Sequence, residues 1–216
     1  MTLRYDYICI EGNIGSGKTT LSEILARDTR SRLVHESFEE NPFLPIFYQD
    51  PERHAFPVEL HFMAERQKQL QQVFSNLDLF ENKVIADYCP QKSLLFAHHT
   101  LHPREFKLFR TLYDALFQTL TRPDIILYLH RDLNELLYLI RKRGRLFEQS
   151  IHEDYLFKVH QAYQEFFRAQ QDIPVLWLNV NGVNFLENRE DYLFIAQLLS
   201  ETYAPGTHYF DLSNAE

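Results

Sequence analysis

Residues 11–20 read EGNIGSGKTT and directly follow the apolar run YICI. Gly12, Gly17, Lys18 and Thr19 satisfy G-x-x-x-x-G-K-[ST] in the setting that motif requires, between a strand and a helix. Glycines at those places let the backbone curl so that its N–H groups face phosphate oxygens. The stretch Gly12, Asn13, Ile14, Gly15, Ser16, Gly17, Lys18, Thr19 and Thr20 is therefore expected to cradle a phosphate chain. Within it Lys18 reaches the β- and γ-phosphates and Thr19 holds Mg²⁺. The start of the following helix adds partial positive charge. Nucleoside triphosphate binding is the chemistry these residues point to, and they leave open where the phosphoryl group goes.

The elements that must position this loop alternate along the chain. Short apolar runs at 5–11, 32–36, 83–87, 124–130 and 175–180 read as strands, and the segments between them carry helical periodicity. Leu60, Met63, Leu70, Phe74 and Leu77 keep a helical period to about Phe80, while Pro45, Pro51 and Pro57 break the helical stretch before it into pieces. A last helix is expected over roughly 189–201. Nearly continuous apolar strands separated by helices predict an α/β fold, a five-stranded parallel sheet with helices on both faces. With 216 residues and no linker-like tract, residues 1–216 are expected to form one domain.

Composition narrows the classes. A formal charge of −8 argues against a surface that coats nucleic acid. Cys9 and Cys89 are too few for a disulfide framework and sit where pairing is not expected. No run of about 18 apolar residues predicts a membrane span, and a strand from residue 5 leaves no room for a signal peptide, so a cytoplasmic location is expected. His98, His99 and His102 lie close in sequence without metal-site spacing and read as a solvated helix end. Phe56, Phe62, Phe117, Phe166 and Phe167 read as packing residues, with one or two of them available to sandwich a base.

A GTPase would need Asp-x-x-Gly after a strand, and no Asp here is followed three places later by Gly. It would also need Asn-Lys-x-Asp, whereas Asn82-Lys83 is followed by Val84-Ile85. A small-molecule kinase suits the length and needs a basic lid to close over the phosphates. KRGRLFEQS, residues 142–150, supplies one, with Arg141, Arg143 and Arg145 at alternate positions around the hinge-capable Gly144.

EGNIGSGKTT, HESFEENP, FYQDPERHAFPVELHFMAER, RPDIILYLHRD and RGRLFEQSIHEDYL, in that order, resemble the cellular deoxyribonucleoside kinases. The family includes deoxycytidine, deoxyguanosine and deoxyadenosine kinases and their bacterial relatives, and the likeness spans about residues 5–180. It implies the P-loop kinase fold with an arginine-rich lid, and transfer of the γ-phosphate of ATP to the 5′-hydroxyl of a deoxynucleoside as a salvage step. It also implies a homodimer formed through a helical face. Position by position, Glu36 matches the family's general base; the other reading is a surface acid beside Glu39 and Glu40. Tyr48 and the lid's Glu148 match the pair that holds the sugar 3′-hydroxyl, and Arg66 matches an arginine near the base.

Three positions depart from that pattern. The base-reading glutamine of the family falls at Glu59. An ionised carboxylate only accepts hydrogen bonds, which suits the N1–H and N2–H₂ of guanine. Adenine, which the resemblance to bacterial relatives also allows, needs the carboxyl protonated or bridged by water, and a third reading pairs Glu59 with Arg66. After the third strand, Asp87-Tyr88-Cys89 lacks the arginine many relatives carry. There Asp87 either organises Mg²⁺ or caps a helix, and Lys92 supplies positive charge near the acceptor. Leu139 stands where many relatives have an arginine one turn before the lid, so the lid rests on Arg141, Arg143 and Arg145 as a group. Two other classes remain open from the residues alone: a nucleoside monophosphate kinase of the thymidylate type, and a non-catalytic nucleotide-binding protein.

Overall fold

A computed structural model of the chain describes residues 3–37, 41–77, 83–145, 148, 151–185 and 187–213. Within those residues a parallel sheet has the order β2-β3-β1-β4-β5-β6. Its strands are β1 (Tyr7–Gly12), β2 (Arg32–Val34), β3 (Val84–Ala86), β4 (Ile125–His130), β5 (Pro174–Asn179) and β6 (Gly206–Asp211). The helices are α1 (Lys18–Thr29), α2 (Leu44–Phe47), α3 (Pro51–Ser75), α4 (Lys92–Thr100), α5 (Pro103–Phe117), α6 (Leu133–Arg143), α7 (Glu153–Arg168) and α8 (Arg189–Leu198).

Alternation along each strand feeds two apolar layers. In β1, Ile8 and Ile10 join Leu21, Leu25 and Ile195 on the face covered by α1 and α8. Tyr7 and Cys9 point the other way, toward Leu70, Val159 and Phe167 under α3 and α7. β4 divides in the same manner, with Leu127 and Leu129 in the first layer and Ile126 and Tyr128 in the second. Both faces being covered is why these strands read as unbroken apolar runs. Trp177 of β5 is buried in the second layer, and Cys9 and Cys89 are buried and unpaired as thiols. No helix among the described residues is long and apolar enough to cross a membrane.

Two expectations are corrected. The sheet has six strands rather than five, because β6 pairs in parallel with β5 from Pro174↔Gly206 to Asn179↔Asp211. As an edge strand it is only partly buried, and its sequence GTHYFD lacks the apolar density that marks the central strands. Also, Pro57 does not break the helix: α3 runs for 25 residues from Pro51 and contains Pro57, while the break expected near Pro51 falls between α2 and α3. Pro51 occupies the first turn, where an N–H has no helical partner in any case, and Asp50 accepts from Arg53 N–H at 3.3 Å as the cap. An interior proline costs about 3 kcal/mol; burial of Ala55, Val58 and Met63 on the same helix offsets it. The end expected near Phe80 falls at residues outside those described, beyond the observed end at Ser75.

The order of the strands decides what can meet. β3 lies between β2 and β1, so the segments leaving their carboxyl ends emerge side by side. These segments carry Glu36 after β2, Asp87 after β3 and the glycine-rich loop after β1.

Because Leu127 is fully buried in the central strand β4, Leu127→Ala is expected to lower unfolding free energy by about 2–5 kcal/mol. Urea denaturation should show a lower midpoint with the slope unchanged.

Candidate active site

The loop between β1 and α1 is shaped by its glycines. A Cβ on Gly12 would fall 2.4 Å from Ser16 Oγ and 2.8 Å from the Leu129 carbonyl oxygen, a backbone atom that has little room to yield. Gly17 has φ +95°, a left-handed conformation that side chains other than glycine's rarely adopt. Asn13 is buried and ties the loop to α7 by donating from Nδ2 to the Leu156 carbonyl at 3.3 Å. Ser16 is fully buried beneath the loop, and Thr20 follows Thr19 in the first turn of α1. Lys18 Nζ donates to the carbonyls of Gly12 at 2.8 Å and Asn13 at 3.0 Å. Burial and the charge of Lys92 lower the Lys18 ammonium to about 8, against the pull of Glu11, Glu36 and Asp87.

Asp87 joins the three strand ends. Its Oδ2 accepts from Thr19 Oγ1 at 2.9 Å, and its Oδ1 accepts from the Glu36 backbone N–H at 2.7 Å. The helix that follows starts at Lys92 with Gln91 at its N-cap, so the capping alternative for Asp87 does not hold. Thr19 and Asp87 thus present a hydroxyl and a carboxylate side by side next to the loop. Such hard oxygen donors fit Mg²⁺.

Glu36 is not a surface acid. Its side chain is 12% exposed, and it accepts from Arg66 Nε at 2.9 Å, Arg66 Nη2 at 2.5 Å and Lys92 Nζ at 2.6 Å. Glu39 and Glu40, its neighbours in the other reading, lie outside the described residues. Burial alone would raise the Glu36 carboxyl, but Lys92 and Arg66 hold it down at about 2. Arg66 spends its remaining nitrogen on Ser93 Oγ at 2.8 Å. It therefore does not pair with Glu59, which corrects that alternative.

A cavity opens from Lys18 and Thr19, past Glu36, toward Glu59. Glu59 is 3% exposed and lies among Val58, Phe62 and Phe96, and its carboxylate has no cation within ion-pair distance among the described residues. Its Oε1 faces Thr100 Oγ1 at 3.1 Å. Burial raises the Glu59 carboxyl to about 7, with Arg66, the Thr100 hydrogen bond and Lys92 only partly opposing it.

Tyr48 and Glu148 line the same cavity. Burial and then the charges of Glu148, Glu59 and Glu36 push the Tyr48 phenol well up, so it stays a donor. Of the lid, residues 142–145 and 148 are described and 146, 147, 149 and 150 lie outside the described residues. Gly144 ends α6 with φ 71°, a left-handed conformation. Arg143 forms a two-point ion pair with Glu148, and Arg145 Nη1 stands 3.6 Å from the same carboxylate. Arg141 departs from this group. Its side chain is 75% exposed and faces Glu153 at 3.4 Å, outside the cavity that Arg143 and Arg145 line. Consecutive helical positions point about 100° apart, so a helix cannot aim Arg141 and Arg143 at one target.

Phe96, which lines the cavity, and Thr100, which meets Glu59, escaped the sequence reading. Lys92, Phe96 and Thr100 are spaced four apart on α4, and Glu59, Phe62 and Arg66 at three and four on α3, which puts each set on one helical face. Of the phenylalanines weighed as base sandwiches, Phe62 reaches the cavity together with Phe47 and Phe96; Phe117, Phe166 and Phe167 pack elsewhere. Glu11, fully buried, accepts from Cys89 N–H at 2.7 Å and from Tyr163 Oη at 3.0 Å, bracing the loop from beneath.

A glycine-rich loop facing a buried acceptor cavity defines a phosphotransferase site, and the comparisons with known proteins agree. A family model described as deoxynucleoside kinase matches residues 8–202. The deoxyguanosine kinase of Bacillus subtilis (strain 168) is 33% identical over 199 residues, covering 90% of this chain and 96% of that protein. The deoxyadenosine/deoxycytidine kinase of the same strain is 29% identical over 196 residues, covering 86% and 90%. The structure of deoxyadenosine kinase from M. mycoides with bound dATP shares the fold with a TM-score of 0.74 at 24% identity, covering 90% of this chain and 98% of that one. The chain belongs to the deoxynucleoside kinase family and is a phosphotransferase enzyme.

A carboxyl raised by folding contributes stability that is complete below its unfolded value of 4.5 and is lost as pH rises through the folded value of about 7. Glu59→Gln removes that titration. The stability of the variant relative to the unmodified protein should therefore climb between pH 4.5 and 7, by a few kcal/mol, and stay level above. Urea titrations at stepped pH would check this.

Proposed function

We propose that this enzyme transfers the γ-phosphoryl group of ATP to the 5′-hydroxyl of a deoxynucleoside, a purine deoxynucleoside in particular, as a nucleotide salvage step. The observation that carries the reading is Glu36, a buried carboxylate kept ionised by Arg66 and Lys92 between the glycine-rich loop and the Glu59 cavity. Arg66 and Lys92 are taken up by Glu36, which leaves them unavailable for the phosphate of a monophosphate acceptor. That favours a nucleoside acceptor over a nucleotide.

In this mechanism the loop N–H groups and Lys18 bind the phosphates of ATP. Thr19 and Asp87 would hold Mg²⁺, which when bound neutralises charge on the phosphates. Glu36 accepts a hydrogen bond from the 5′-hydroxyl and orients its oxygen toward the γ-phosphorus. As the new oxygen–phosphorus bond forms, the bond to the bridging oxygen of ADP breaks and the hydroxyl proton passes to Glu36. Phosphoryl transfer of this loose kind asks mainly for positioning and charge neutralisation, so a carboxylate held at about 2 is adequate as an acceptor. Arg143 and Arg145 supply further positive charge, while Arg141 acts, if at all, from outside the cavity. Tyr48 and Glu148 hold the sugar 3′-hydroxyl, and Arg143 fixes Glu148 for that task.

The reading includes a single domain that works as a homodimer. Support for a helical dimer face comes from the apolar groove between α4 and α7 lined by Leu94, His98 and Phe166. No nucleic acid or membrane partner is part of the reading.

Glu36→Gln keeps the size of the side chain and removes its charge. Turnover with ATP and deoxyguanosine or deoxyadenosine should fall by about 10² or more, with nucleoside affinity by calorimetry changed far less. Unchanged turnover would remove Glu36 from this role. Activity on thymidylate or deoxyguanylate, with none on any deoxynucleoside, would overturn the reading as a whole.

A further inference from the structure

Glu59 is the one site residue whose surroundings do not settle its charge. The groups facing it come from six directions. Arg66 on α3 and Lys92 on α4 are cationic, but both are bound to Glu36, itself anionic at the end of β2. Tyr48 at the end of α2 and Tyr155 on α7 are phenols held neutral by burial. Arg143 at the end of α6 and Arg145 just past it are matched with Glu148. Among the described residues no cation stands within ion-pair distance to fix Glu59 as a carboxylate.

The hydrogen-bond partner that Glu59 has among the described residues is equally uncommitted. Thr100 Oγ1 lies 3.1 Å from Glu59 Oε1 and 2.9 Å from the Phe96 carbonyl oxygen. A hydroxyl has a single proton and can serve only one of these acceptors. With Glu59 ionised, the Thr100 proton goes to the carboxylate. With Glu59 protonated and no base bound, Glu59 donates to Thr100, which passes its own proton to the Phe96 carbonyl; when adenine takes the Glu59 O–H, Thr100 donates to Oε1 instead. The same heavy-atom positions satisfy both states.

We propose that Glu59 reads a purine in two protonation states, as a carboxylate that accepts from guanine and as a carboxylic acid that offers adenine a donor beside an acceptor. Guanine presents N1–H and N2–H₂ side by side, which matches two accepting oxygens. Adenine presents N6–H₂ beside the acceptor N1, which matches one accepting oxygen and one O–H. Deoxyguanosine binding to the protonated site releases one proton to solvent; deoxyadenosine binding to the ionised site takes one up. Solution pH thereby sets which deoxynucleoside is preferred. The inference rests on the deoxynucleoside kinase reading above, and burial brings the switch to about neutral pH.

The test is the ratio of kcat/KM for deoxyguanosine to that for deoxyadenosine between pH 6 and 8, together with proton exchange on binding each nucleoside. Proton exchange is read by calorimetry in buffers of different ionisation enthalpy. The ratio should rise about tenfold per pH unit, with proton release for deoxyguanosine and uptake for deoxyadenosine. In Glu59→Gln, which offers a fixed donor and acceptor, the ratio should be flat and favour deoxyadenosine, and both proton exchanges should vanish. A flat ratio in the unmodified enzyme, or one that still rises in Glu59→Gln, would overturn the proposal. If both nucleosides bind without turnover, the kinase reading fails and proton exchange alone decides this one. If neither binds, both fail.

Discussion

The site is organised by one buried carboxylate shared between two buried cations. Glu36 alone in this environment would be driven to protonate, and Arg66 and Lys92 alone would be driven to lose charge. Together they stabilise one another's ionised forms and link β2, α3 and α4 at the carboxyl edge of the sheet. Such a group is not chosen for stability, since an apolar cluster of like volume would serve at least as well. What it provides is a carboxylate that stays charged beside the phosphate loop while little of it is exposed to water. Arg66 then fixes Ser93, and Asp87 fixes the Glu36 backbone, so the same residues set both charge and position.

Parallel topology is what makes this convergence possible. Residues 11, 36 and 87 are remote in sequence, yet β1, β3 and β2 are neighbours and end on the same edge. Asp87 leaves the middle strand of the three and touches both flanking segments, at 2.9 Å to Thr19 and 2.7 Å to the Glu36 N–H. The helices then decide what lies above that edge. Regular spacing on α3 and α4 turns Phe62, Phe96 and Glu59 toward a common space, with Thr100 behind them against Glu59. An acceptor site thus grows from two helix faces, while the donor site grows from backbone.

Legibility in the sequence followed this division. The phosphate loop was readable because its function resides in backbone conformation that glycines at fixed spacing enforce. The central strands were readable because burial on both faces leaves no alternation to blur them. β6 was not, since an edge strand with partly exposed residues such as Tyr209 has no such run. Pro57 misled for a related reason: a local rule forbids it, and burial of its neighbours on α3 overrides the rule. Among site residues, those tied to a family motif stood out by type, and the partners that set their chemistry did not. That Lys92 meets Glu36, that Arg66 prefers Glu36 to Glu59, and that Arg141 turns away to Glu153 depend on three-dimensional packing. Thr100 carries no motif at all, and only its place two turns after Lys92 on α4 hinted at a shared face.

Two carboxylates on one cavity wall end up in opposite electrostatic states, and the difference suits the separate tasks proposed for them. Glu36 and Glu59 are both buried, so desolvation presses on both. Glu36 wins two direct cation contacts and is held at about 2; Glu59 receives a hydroxyl and distant charges and rises to about 7. Pairs of like groups pushed apart by their surroundings are how a fold obtains different proton chemistry from the same side chain. A group that must accept a proton from a reacting hydroxyl gains from being ionised at every working pH. A group that must match a base's donors and acceptors gains from being free to change. The missing arginine after β3 belongs to this arrangement: with Tyr88 and Cys89 in that segment, the one lysine that completes the Glu36 pair comes from α4 and leaves none to neutralise Glu59.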